Sequence, residues 1–120
     1  MDIQKIKKRR DFLKGNTAPY AAMPSVVVQS YLRTDEVVKT DDSIMMGITC
    51  SKKVGNAVTR NRAKRRLREA GKIVLKGIGL KKTNYIFIAR RDATINVKFT
   101  DLCNDIENGI KKIYGQEDGK

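Results

Sequence analysis

The chain of 120 residues contains no histidine and no tryptophan. Without histidine it lacks the side chain best suited to acid–base work near neutral pH, and the commonest metal ligand. Its two cysteines, Cys50 and Cys103, are too few for a disulfide framework, and neither has a second Cys or a His at zinc-binding spacing. Both sit in apolar-looking segments and read as small buried hydrophobes of a reducing compartment. Acids are scarce, 13 Asp and Glu against 26 Lys and Arg. They are also scattered. The one Asp–Asp pair, Asp41–Asp42, lies in a turn-rich loop beside Thr40 and Ser43, which is no convergent carboxylate set for two-metal nuclease chemistry. Long apolar runs are missing too. None approaches the roughly 20 residues that span a bilayer, and the start, MDIQKIKKRRDF, is charged and has no apolar signal-peptide segment. These absences leave a single cytoplasmic domain, with no membrane association and no protein-borne metal site, long enough to bury one layered core.

What is present is positive charge, and it is concentrated. The net charge is +13; residues 52–72 carry nine bases against one acid, and residues 1–14 carry six against two, so the two segments hold 12 of the 13 excess charges. Charge gathered in this way implies a polyanionic partner, nucleic acid before an anionic membrane surface.

Apolar spacing places the segments. Residues 1–10 read as a flexible basic lead-in, followed by a short helix around Asp11–Lys14 that Gly15 stops. TAPYAAMPS, with Pro19 and Pro24, reads as irregular chain or an edge strand. Ser25–Leu32 is β-branched and bounded by turn residues, as a strand should be. Ile44–Cys50 and Asn84–Arg90 are apolar on both faces, as expected of central strands. Between them, from about Asn56 to Leu75, Ala63, Leu67, Ala70 and Val74 fall on one helical stripe. A last helix over about Val97–Tyr114 buries Phe99, Leu102, Cys103, Ile106, Ile110, Ile113 and Tyr114, and Gly115 ends it; residues 115–120 read as a flexible tail. The expected fold is α+β, one domain over residues 1–120 with helices packed on a small sheet of about four strands.

The central helix carries the function. Between Arg60 and Arg68 stand five arginines and one lysine. At about 100° per residue, Asn61, Lys64, Arg65, Arg68 and Lys72 fall opposite the apolar stripe, Arg62 to one side, and Arg60 and Arg66 at its border. An ordinary solvated face mixes signs at i, i+4, whereas here Lys64–Arg68 and Arg62–Arg66 repel. Arginine also binds phosphate in bidentate fashion and stacks on bases, as lysine does not. Just upstream, Lys52 and Lys53 end a strand, and Asn56 is placed to cap the helix, whose free N–H groups suit phosphate.

The run SKKVGNAVTRNRAKRRLRE resembles the signature of the bacterial ribonuclease P protein subunit, an Arg-Asn-Arg helix after a Lys-Lys-x-Gly-Asn-Ala turn. RRDFL resembles that family's first helix, and IMMGITCSKK and YIFIARRDA its flanking strands. The resemblance implies an αβββαβα order with a left-handed crossover around the motif helix, as in the second domain of a small-subunit ribosomal protein. It implies a non-catalytic protein that binds ribonuclease P RNA, one to one, and promotes removal of the 5′ leader from precursor tRNA. The RNA would perform the cleavage with bound Mg2+. By the same resemblance Arg60, Asn61, Arg62, Lys64, Arg65 and Arg68 would contact the RNA subunit or organise ions near its active site, and Phe12, Lys52 and Lys53 the leader. A second leader-stacking aromatic usual in the first helix is absent, leaving Tyr20 and Tyr31 as substitutes. The rival reading is a ribosomal or other structural RNA- or DNA-binding protein.

Overall fold

The motif helix forms where its sequence is locally strong at both ends. In the computed structural model, which describes residues 3–33 and 42–117, α2 spans Ala57–Ile78. The Asn56 side chain accepts from the Thr59 backbone N–H at 2.9 Å, a cap worth about 1 kcal/mol. Its apolar stripe, Ala63, Leu67, Ala70, Gly71, Val74 and Leu75, is buried, and the Gly79 N–H closes the last turn on the Leu75 carbonyl.

This helix packs on one face of a five-stranded sheet. The strands are β1 (Ile3–Lys5), β2 (Tyr20–Ala22), β3 (Val26–Leu32), β4 (Ile44–Thr49) and β5 (Thr83–Ala89), in spatial order β1-β4-β5-β3-β2. β4 runs parallel to β5 and to β1, while β3 runs antiparallel to β5 and β2. The crossover β4–α2–β5 therefore joins neighbouring parallel strands. Register assigns the faces, since cross-strand partners share one. Val28 pairs with Phe87 and Met46 with Tyr85, and this face carries α2 together with α4 (Phe99–Glu117). Leu102, Ile106, Ile110 and Ile113 of α4 are wholly or almost wholly buried there, each contributing about 1.5–3 kcal/mol. Close approach of α2 depends on Gly71, where a Cβ would stand 2.6 Å from the Phe87 ring. A four-residue turn of helix, α3 (Ala93–Asn96), links β5 to α4.

The opposite face shows Gln29, Tyr31, Asn84, Ile86 and Gly47, and α1 (Arg9–Gly15) lies on it. Ser25 donates through both its N–H and its hydroxyl to Asp105 Oδ2, and the buried Tyr85 Oη accepts from the Leu80 N–H.

Three expectations are corrected. The lead-in is ordered from Ile3, because Ile3, Gln4 and Lys5 pair with Ile44, Met45 and Met46. The sheet consequently has five strands rather than about four; of the two readings of TAPYAAMPS, irregular chain or edge strand, the edge strand holds, as β2. The last helix does not stop at Gly115 but runs to Glu117, so residues 115–117 are not a loose tail. Of the acidic loop, Thr40 and Asp41 lie outside the described residues; the Asp42 carboxylate stands 3.7 Å from Lys82 Nζ.

Candidate nucleic-acid interface

Where β1 ends at Lys5, the edge of β4 is left uncovered, and α2 and α1 overhang it from the two faces of the sheet. The result is a cleft of about 310 Å³. Its floor is Met46, Gly47 and Ile48 of β4, one end is residues 3–6, Phe12 of α1 forms one wall, and Lys64, Arg68 and Lys72 of α2 form the other. Gly47 is small for a reason: a Cβ there would stand 2.6 Å from Phe12 Cε1. The aromatic ring thus rests on backbone and stays half-exposed rather than sinking into the core.

The three cations recur at i, i+4 and i+8, one per turn of helix. Lys64 and Arg68 are half-buried and Lys72 is exposed. Among the described residues no carboxylate forms an ion pair with any cation of α2; the pairs present are Lys82–Asp42 and Lys111–Glu107. Among the described residues the positive charge of the cleft is therefore not met by an ion-paired carboxylate. Behind it, burial pushes the Cys50 thiol up from its ordinary value, opposed by the nearby charges of Lys64 and Arg60. Cys103, on α4, is likewise a free thiol raised by burial.

The other anticipated residues separate. Asn61, Arg62 and Arg65 are exposed on the outer surface of α2, and Arg60 is half-buried near Cys50. Lys52 and Lys53 are exposed in a single 3-10 turn, Lys52–Val54, just before α2, and do not line the cleft. Arg66 turns away altogether. Its Nε donates to the Thr94 carbonyl at 3.1 Å and its Nη2 to the Val97 carbonyl, with the guanidinium 6.0 Å from the Phe99 ring centre. Helical phase sets Lys64, Arg68 and Lys72 opposite the stripe, with Arg68 squarely outward; all three lie instead on the flank toward β4. Gln4, Lys5 and Lys72 are cleft residues that no role had been attached to. The i+4 spacing from Arg68 was the available signal for Lys72, and nothing in Ile3–Lys5 marked the other two.

The two spare aromatics also divide. Tyr20 is 62% exposed on the edge strand. Tyr31 is half-buried, its hydroxyl engaged by Asp11 and Asn84.

An α+β sandwich with one cationic helix, three of whose bases line an aromatic-walled cleft, with no carboxylate paired to them among the described residues, defines a protein that binds a polyanion. Comparison makes this specific. The chain belongs to the ribonuclease P protein family, whose model, described as Ribonuclease P, matches residues 2–114. Its part is accordingly that of the protein subunit of ribonuclease P, with an RNA partner. The chain is 41% identical over 112 residues to the ribonuclease P protein component of Ruegeria pomeroyi, covering 93% of this chain and 87% of that one. It is 37% identical over 110 residues to that of Caulobacter vibrioides, covering 92% and 70%. Among solved structures it resembles the RNase P protein of Staphylococcus aureus (TM-score 0.70, 32% identity, 90% and 93% of the two chains). It also resembles that of Thermotoga maritima (TM-score 0.69, 25% identity, 88% and 93%). A structural RNA- or DNA-binding protein outside ribonuclease P is not favoured.

Proposed function

We propose that this chain, one copy per RNA subunit, grips the single-stranded 5′ leader of precursor tRNA in the cleft beside Phe12. The outer face of α2 lies against the catalytic RNA. One observation carries the reading: a half-exposed aromatic ring and three cations at one-turn spacing converge on the same open sheet edge. A base stacked on such a ring gains about 1–3 kcal/mol whatever its identity, which suits a protein that meets many leaders. Lys64, Arg68 and Lys72 would hold the leader's phosphates, and Lys64 and Arg68 mark where the two RNA surfaces meet. Arg60, Asn61, Arg62 and Arg65 would face the RNA subunit or organise ions at its active site, and Lys52 and Lys53 would meet substrate phosphate at the helix entry.

The protein is a non-catalytic subunit in this reading, and Mg2+ is held by RNA. The chain has no histidine, and among the described residues no three His, Cys, Asp or Glu side chains stand close enough to hold a metal ion. Magnesium bound by RNA would supply the nucleophile and stabilise the leaving group. The chain's contribution is to neutralise phosphate and align the leader, work set in the cytoplasm, where precursor tRNA is made. Among the described residues no helix is long and apolar enough to cross a membrane.

The test is cleavage of precursor tRNA by the cognate RNA subunit at low magnesium, with and without the protein. Faster release of the 5′ leader is expected with it. Equal rates would overturn the reading.

A further inference from the structure

α1 has only seven residues and no side-chain N-cap. A helix so short has no stability of its own, so its place on the sheet must be set by tertiary anchors. One anchor is polar and specific. The Tyr31 hydroxyl donates to the Asp11 carbonyl at 2.7 Å and accepts from Asn84 Nδ2 at 2.9 Å. Asn84 is 1% exposed, and its Oδ1 accepts from Arg33 Nη1 at 2.8 Å, while Arg33 Nη2 donates to the Ser43 carbonyl at 2.7 Å. The hydroxyl is thereby oriented: with Asn84 donating to it, its own proton points at α1. Burial raises the Tyr31 phenol above its ordinary value, so the proton is in place at neutral pH. Asp11 directly precedes Phe12.

We propose that Tyr31 is a positioning residue for leader recognition: held by Asn84, it pins the Asp11 carbonyl and so fixes Phe12 over Gly47 at the width the cleft requires. Tyr31 acts through Phe12 and does not touch the leader. The proposal rests on the reading that the Phe12 cleft receives the leader, and its test separates the two.

The experiment uses holoenzyme reconstituted from the protein and its cognate RNA subunit. It measures affinity for precursor tRNA with a short leader and for mature tRNA. Tyr31→Phe removes both hydrogen bonds of the hydroxyl, the one that pins the Asp11 carbonyl and the one received from Asn84, and should lower the preference for precursor over mature tRNA about five-fold. Mature tRNA affinity and assembly with the RNA subunit should not change. Phe12→Ala should lower the preference as well, and adding Tyr31→Phe to it should produce no further loss, because the two act as one unit. Additive losses in the double variant, or a loss shared equally by mature tRNA, would overturn the positioning role. If Phe12→Ala lowers the preference and Tyr31→Phe does not, the positioning role alone falls. If Phe12→Ala leaves it unchanged, the leader reading falls and takes the positioning role with it. Should Tyr31→Phe unfold the protein, Asn84→Asp tests the same bond. The carboxylate keeps an acceptor for Arg33 but draws the Tyr31 proton away from Asp11, so the same five-fold loss is expected and its absence is equally fatal.

Discussion

Arg65 and Arg66 are neighbours in the sequence and belong to different faces of α2. Arg65 is exposed on the outer surface. Arg66, 100° further round, reaches across to α3 and the start of α4 and binds two main-chain carbonyls beside the Phe99 ring. On the far flank Lys64 and Arg68, with Lys72, border the cleft. One run of like charge is thus used in three ways: as a strut inside the fold, as an outer surface, and as the wall of a cleft. The difference teaches that charge density along a basic helix overstates its capacity for RNA. What a guanidinium does depends on whether the neighbouring element offers it carbonyls or leaves it in water.

The sharpest way to break the comparison is Arg66→Ala. Two hydrogen bonds from a charged donor to partly buried carbonyls would be lost, and Thr94 and Val97 would need water instead. Unfolding by urea should show a loss of about 2–3 kcal/mol. Arg66→Lys should recover only part of it, since one ammonium does not reproduce the fork that reaches both carbonyls. The salt dependence of RNA binding should be unchanged. A slope reduced by about one phosphate contact would place Arg66 on the RNA and dissolve the distinction between the flanks.

That distinction was half legible in the sequence. Helical phase located the stripe Ala63, Leu67, Ala70 and Val74, set Arg65 outward and put Arg66 at the apolar border, because periodicity reports which way a side chain leaves its own helix. It does not report what stands opposite. The carbonyls of Thr94 and Val97 are more than 25 residues away, and the β4 edge that turns Lys64 and Arg68 into a cleft wall exists only because β1 is three residues long. β1 itself was invisible: Ile-Gln-Lys has no strand signal, and pairing with Ile44–Met46 makes it a strand. The central strands, the cap at Asn56 and the last helix were readable since each is determined by contiguous residues. Tyr31 could not be told from Tyr20, because only the fold shows that one hydroxyl lies under α1 and the other ring lies on an open edge.

A smaller effect is expected between the flanks, at Gly71. A methyl group there would meet the buried Phe87 ring at 2.6 Å and Met46 Sδ at 2.7 Å. Overpacking of this kind costs about 1–3 kcal/mol, and the better helix propensity of alanine returns about 1 kcal/mol. Gly71→Ala should therefore destabilise by about 1 kcal/mol in a thermal melt. Because it lifts α2 from the sheet beside Lys72, it should also weaken precursor binding more than mature tRNA binding. An Ala variant as stable as the parent, with unchanged selectivity, would mean that the helix-to-sheet distance does not set the cleft.

The smallest change in stability, and the most direct reading of the outer surface, belongs to Arg65→Ala. The side chain is exposed and forms no ion pair among the described residues, and alanine is at least as good a helix former, so unfolding should shift by no more than about 0.5 kcal/mol. RNA-subunit affinity should nonetheless fall. Plotted against salt on logarithmic axes, its slope should flatten by about 0.7–0.9, the counterion release of one phosphate contact. The pair of variants then forms a crossed test. Arg66→Ala should lose stability and keep the slope, whereas Arg65→Ala should keep stability and lose slope. If Arg65→Ala leaves the slope intact, the outer surface is solvated rather than bound, and the cleft flank alone would have to carry the RNA.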